Sequence, residues 1–137
     1  MPTLTGVLET CLYVEDVQRS ADFYRGLFGF EVLFTDARAC ALSVAGRQIM
    51  LLFRKGASTA PMPTSGGVIP PHDGSGRLHL AFAIVAAELP AWEEHLRQHG
   101  VAVESRVAWP LGGHSIYFRD PDGHLLELAT PGTWRIY

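Results

Sequence analysis

The sequence is poor in cysteine, in runs of like charge and in long apolar stretches, and each scarcity excludes something. Two cysteines in 137 residues, Cys11 and Cys40, are too few for a disulfide framework. Both lie in apolar, strand-like runs without a Cys-x-x-Cys spacing, which predicts reduced core thiols in a cytoplasmic protein. Eleven Lys and Arg against fourteen Asp and Glu leave a formal charge of −3 with no basic run, so neither nucleic acid nor an anionic membrane is expected as a partner. No apolar run approaches the ~18 residues of a membrane span. Met1-Pro2-Thr3-Leu4-Thr5 has neither the positive start nor the apolar stretch expected of a signal peptide. What is present is a core: 47% of the residues are apolar, too many for disorder. A chain of this length buries roughly two thirds of its unfolded surface and needs no disulfide or metal merely to fold. Six histidines stand out in a small acidic protein and raise the question of a metal.

Gly6 to Val14 reads as a strand. Asp16 is a good helix N-cap and Gly29 a good residue just past a helix end. Between them Val17, Ala21, Tyr24 and Phe28 recur at helical spacing. Strands are expected at 30–35, 38–45 and 47–54, so residues 1–54 read strand, helix and three strands. Residues 55–77 carry Pro61, Pro63, Pro70 and Pro71 among several glycines and predict a long linker loop; connections beyond ~15 residues are usually functional or linkers. The order then repeats over 78–137. A strand is expected at 78–85. A helix follows through Leu89, Trp92, Leu96 and His99, ended by Gly100, and further strands are expected at 101–107, 114–119 and 124–130. Asp120-Pro121-Asp122-Gly123 is a tight turn, with proline at its second position and glycine at its fourth. Glu9 is the counterpart of His79, and Gly29 of Gly100. Two such units bury faces that one would leave bare. The reading is an α+β fold, helices on one side of curved sheets and a cleft on the other.

Side chains alternate along strands. Leu8, Leu12 and Val14 share a face with Thr10, as do Leu78, Leu80, Phe82 and Ile84, and these apolar faces are expected under the helices. The opposite faces carry small residues plus one ionisable group each: Glu9, His79 and Glu127. A mid-strand ionisable group on an inward face is costly unless paired or coordinated. Two carboxylates and an imidazole make a plausible three-point set for a divalent metal; hydrogen bonding or exposure of each group singly is the alternative.

The chain resembles the vicinal oxygen chelate superfamily, which includes glyoxalase I, fosfomycin-modifying enzymes, extradiol dioxygenases and bleomycin-binding proteins. The residues that carry the likeness are Glu9 to Asp16 with Phe23-Tyr24, Leu27 and Gly29; His79-Leu80-Ala81-Phe82; and Tyr117 through Leu128. The resemblance implies two βαβββ modules forming an open eight-stranded barrel-like cleft with helices outside, around a divalent metal such as Zn, Ni, Mn or Fe. By position it implies Glu9, His79 and Glu127 as ligands. It also implies a homodimer, in some members with modules exchanged so that ligands come from both chains. Leu51 stands nearest the place where glyoxalase I-like members carry a fourth ligand, and it cannot ligate. Glu9 stands where extradiol dioxygenases generally have histidine, which disfavours Fe(II) oxygen chemistry. Bleomycin-binding members lack the triad altogether.

The expected activity is Lewis-acid chemistry on a small metabolite or xenobiotic with adjacent oxygens: isomerisation, lysis or thiol transfer, with Glu9 or Glu127 as base when free of the metal. A metal-free sequestering protein and a ring-cleaving dioxygenase are the alternatives. Ser115, Tyr117 and Arg119 share a strand face and are expected toward the cleft, Ser115 and Tyr117 as hydrogen-bonding groups for substrate and Arg119 as an anion holder. His72, with Asp73, is expected to cap the site, and His114, beside Gly112-Gly113, to stand near its mouth. His95 and His99 are expected on a helix surface, His124 exposed after the turn, and Trp92 in the core. Trp109 and Trp134 are open between core, interface and substrate contact.

Overall fold

Asp16 begins the first helix by accepting a hydrogen bond from the Arg19 amide at 2.9 Å, the bond an N-cap side chain supplies to an otherwise unpaired donor. Gly29, at φ 69°, ends it in the left-handed region, its N–H donating to the Arg25 carbonyl. The helix, α1 (Val17–Phe28), buries Val17, Ala21, Tyr24 and Leu27 on one side. In this computed structural model, which describes residues 1–137, the chain divides into two compact units, Met1–Ser75 and Gly76–Tyr137.

The first unit has four main strands: β1 (Glu9–Val14), β2 (Glu31–Thr35), β3 (Ala39–Val44) and β4 (Gln48–Arg54). They form one sheet in the order β1-β4-β3-β2. The first strand pairs in parallel with the last, Glu9 opposite Ile49 and Cys11 opposite Leu51. The even positions Leu12 and Val14 go under with Cys40, Leu42, Met50 and Leu52, all nearly or fully buried.

The stretch expected to be a bare linker is partly structured. It holds a small hairpin, β5 (Met62–Thr64) with β6 (Gly67–Ile69), Met62 opposite Ile69. The Thr64 hydroxyl donates to the Gly67 carbonyl at 2.8 Å and holds the turn. Gly67, at φ 150°, begins β6 in a backbone conformation that side chains rarely adopt.

The second unit repeats the plan with β7 (His79–Ala83), α2 (Leu89–Gln98), β8 (Ser105–Ala108), β9 (His114–Arg119) and β10 (Leu125–Ala129). A single 3-10 turn (Ala86–Glu88) leads into α2. The sheet order is β7-β10-β9-β8. Again the first strand pairs in parallel with the last, His79 opposite Leu125. The strand expected from Val101 starts only at Ser105. Trp92, expected in the core, is half-buried and packs its edge on His95.

The Asp120–Gly123 turn forms as expected, the Gly123 amide donating to the Asp120 carbonyl at 3.0 Å. Asp120 Oδ1 also accepts from the amides of Asp122 and His124, at 3.0 and 2.8 Å. His124 is not exposed, as expected, but fully buried. Its Nδ1 accepts from the Leu78 amide at 2.9 Å. The ring thus ties the start of β10 to the start of β7, and sets His79 in its register. The eight main strands form two four-stranded sheets, each with its own ladder, and no closed barrel.

Candidate functional site

Strand alternation places His79 and Glu127 on the same face of the second sheet, two ladder positions apart on adjacent strands. Their side chains meet, with His79 Nε2 at 3.2 Å from Glu127 Oε2. Glu127 is nearly enclosed, at 8% side-chain exposure, whereas His79 is half open at 49%. The imidazole tautomer follows from its other nitrogen. Nδ1 lies 3.0 Å from the Leu125 carbonyl, which can only accept, so Nδ1 carries the proton and Nε2 presents a lone pair when the ring is neutral. A lone pair then faces a carboxylate. Two acceptors at this distance need a cation between or beside them, either a proton on Nε2 or a metal ion. The donor set fits a divalent ion, and the backbone carbonyl behind the histidine is the outer partner metal-ligating imidazoles commonly have.

Glu127 is held from behind. Its Oε1 accepts from the Ser115 hydroxyl across the neighbouring strand. Ser115 Oγ in turn accepts from Trp109 Nε1 at 2.8 Å. An indole N–H only donates, so the single serine proton is directed at Glu127. These bonds, the serine one charge-assisted, offset the cost of enclosing the carboxylate. They also leave Oε2 as the oxygen turned to His79. Ser115, expected to contact substrate, is 1% exposed and spent on this support. Trp109 was open between three roles in sequence and takes a fourth. The signal, a donor-only side chain six residues before an inward serine, is not one that strand alternation reveals.

Tyr117 lies opposite Glu127 in the β9–β10 ladder, and its ring centroid is 6.2 Å from that of His79. Burial raises the pKa of its hydroxyl, and the Glu127 charge raises it further. The phenol therefore keeps its proton and serves as a donor beside the pair. Arg119 is already committed to an anion, bonding Glu104 at 2.7 and 3.1 Å and the Gly123 carbonyl at 3.1 Å. His114 is exposed, and its amide donates to Thr130 Oγ1 at 2.8 Å. No group of three His, Cys, Asp or Glu side chains gathers as a metal site within either unit.

The remaining expected residues lie in the first unit. Glu9 is exposed at the start of β1 and lines a cavity of about 600 Å³ on the open face of that sheet. Cys11, Tyr13, Leu51 and His72 also line it. Leu51 occupies the register position that Glu127 holds in the second unit, two residues beyond the partner of Glu9 as Glu127 is two beyond the partner of His79. His72 is not at the His79–Glu127 pair but inside the first unit, bonded through Nδ1 to the Tyr13 hydroxyl at 2.7 Å. Both cysteines are free thiols, Cys40 buried and Cys11 half-buried.

A family profile described as Glyoxalase/Bleomycin resistance protein/Dioxygenase superfamily matches residues 6–128. The chain is similar to the crystal structure of lactoylglutathione lyase from Agrobacterium tumefaciens, with 29% identity and a TM-score of 0.88 over 98% of this chain and 99% of that one. It is 28% identical to the metallothiol transferase FosB of Staphylococcus epidermidis over 93% of this chain and 82% of that protein. Two other matches are partial. FosB of Bacillus licheniformis is 47% identical over 53 residues, 38% of this chain and 34% of that protein. Catechol-2,3-dioxygenase of Bacillus subtilis is 27% identical over 90% of this chain and 42% of its own length, so the chain spans less than half of these two relatives.

Proposed function

The chain belongs to the Glyoxalase/Bleomycin resistance protein/Dioxygenase superfamily, and we propose that it is a metal-dependent enzyme acting on a small oxygenated metabolite or xenobiotic. The reaction class is isomerisation, lysis or thiol transfer. The observation that carries the reading is His79 Nε2 set 3.2 Å from Glu127 Oε2, with both side chains braced from behind. In this reading His79 and Glu127 hold a divalent ion, and Glu9 of a first unit supplies the third donor, in one chain or across a homodimer. The bound ion would act as a Lewis acid on adjacent oxygens of the substrate.

The residues divide the remaining work. Glu127 is held at Oε1 by Ser115, so it is the fixed ligand. Glu9 is exposed at the start of β1, so it is the carboxylate that, once off the metal, takes a proton from substrate carbon. Tyr117, hydrogen-bonded to Glu127, stands beside the pair as a polar contact for substrate. The names of the relatives support this class: a lactoylglutathione lyase and a metallothiol transferase both match across most of the chain. Glu9, a harder ligand than histidine, weighs against the ring-cleaving alternative suggested by the dioxygenase match.

The test is metal analysis of untagged protein. Stoichiometric metal is expected, lost in Glu127→Gln and in His79→Ala while circular dichroism stays native. Equal metal in wild type and both variants sinks the reading. A melting temperature unmoved by chelator, with no bound metal, instead favours a metal-free sequestering protein.

A further inference from the structure

The cavity of the first unit has the size and lining of a built ligand site. Its volume of about 600 Å³ falls within the usual range for small-molecule pockets. Its walls are mainly apolar: Phe34, Leu51 and Phe53 from the sheet face, Met62 and Ile69 from the hairpin, and Pro70. The hairpin that interrupts the expected linker is therefore one wall of this cavity.

The polar part is specific. Tyr13 is 7% exposed, and its hydroxyl bonds His72 Nδ1 at 2.7 Å. Burial, with Cys11 and Asp73 nearby, raises the pKa of the phenol, so it stays protonated. With the phenol as donor in that bond, Nδ1 accepts and the imidazole proton sits on Nε2, a second donor. The ring is clamped. It packs edge-on against Phe53 with centroids 4.5 Å apart, and its own amide donates to the Ser58 carbonyl at 2.9 Å. Gly74 allows the loop this close: a Cβ there would lie 2.3 Å from the Tyr13 ring. A small charged substrate finds little here, because Arg38 already bonds Asp36.

We propose that this cavity binds a ring-bearing carbonyl compound, its ring between Phe34, Leu51 and Phe53 and its oxygen on His72 Nε2–H. It thereby narrows the substrate class. Glu9 and Tyr13 are four residues apart on one strand face, about 13 Å at the usual strand rise. A single molecule of this kind reaches from His72 toward Glu9. That last link, and only that, rests on the proposed function, in which Glu9 meets the metal.

The test uses full-length protein stripped of metal by chelator, so it is independent of whether a metal is ever bound. Acetophenone, toluene and acetone are titrated by calorimetry and ligand-observed NMR. Acetophenone is expected to bind at one site per chain, more tightly than toluene and far more tightly than acetone. Leu51→Trp, which fills the cavity, is expected to weaken acetophenone at least tenfold. Ala60→Phe, on the exposed loop lining the same space, does so too and covers the case in which the first variant misfolds. His72→Phe brings acetophenone down to the affinity of toluene and leaves toluene unchanged. Acetophenone binding that survives both filling variants, or no preference for it over acetone, overturns the proposal. Absence of metal in the untreated protein overturns the proposed function and leaves this result standing.

Discussion

The two units share a frame and differ in what they place on it. In each, a parallel pair joins the first and last strands and a helix covers one face. At matching register positions the second unit carries His79 and Glu127, and the first Glu9 and Leu51. The second unit spends its open face on a braced histidine–carboxylate pair, backed by Ser115, Trp109 and the Leu125 carbonyl. The first spends its open face on an apolar cavity roofed in part by a hairpin. The sheet supplies positions two residues apart; the chemistry comes from whether a neighbouring strand or loop supplies hydrogen bonds to those positions.

Making the second unit resemble the first is the strongest test of that difference. Glu127→Leu is expected to abolish metal binding, a loss well beyond the ~100-fold that removal of an outer partner costs. Competition with a chromophoric chelator measures it, and retained affinity would mean that the pair is structural only. Ser115→Ala keeps the ligand and removes its brace. Metal affinity is expected to fall about 10- to 100-fold, while Trp109, freed from Ser115, changes its fluorescence; an unchanged affinity with altered fluorescence would make the relay a packing feature. The reverse graft, Leu51→Glu, puts a carboxylate where no serine stands behind it. It is expected to cost about 1–3 kcal/mol in urea unfolding at neutral pH, with the loss shrinking toward pH 4 as the carboxyl takes up a proton. Asp16→Ala is a control on the shared frame, expected to cost about 1 kcal/mol through the lost cap without moving metal affinity.

How much of this was legible in sequence depended on whether the signal was local. Helix α1 was, since Asp16 and Gly29 act on their own neighbours. The Asp120–Gly123 turn was, for the same reason. The convergence of His79 with Glu127 followed from alternation alone, because a strand face is a parity. His124 was misread because its position after a turn suggests exposure, while its actual role depends on a strand 46 residues away. Ser115 was assigned to the right face and the wrong job, because nothing in a strand pattern says that an indole N–H points at its oxygen. The hairpin at 62–69 was hidden by proline content: Pro63 sits in a strand of a two-stranded ribbon, where a missing amide is tolerated. His72 was expected to cap the metal site, and its partner Tyr13 lies 59 residues earlier in the chain.

The parallel closure of each sheet sets an order of assembly. β1 has no partner until β4 is made, and β7 none until β10, so neither ladder can grow by local zippering and loop closure is paid first. During synthesis, domains generally fold as units from the N-terminus. Every strand of the first sheet, Glu9 to Arg54, is synthesised before His79. Glu127, by contrast, comes on the last strand of the chain, so its meeting with His79 is among the last contacts the chain can make.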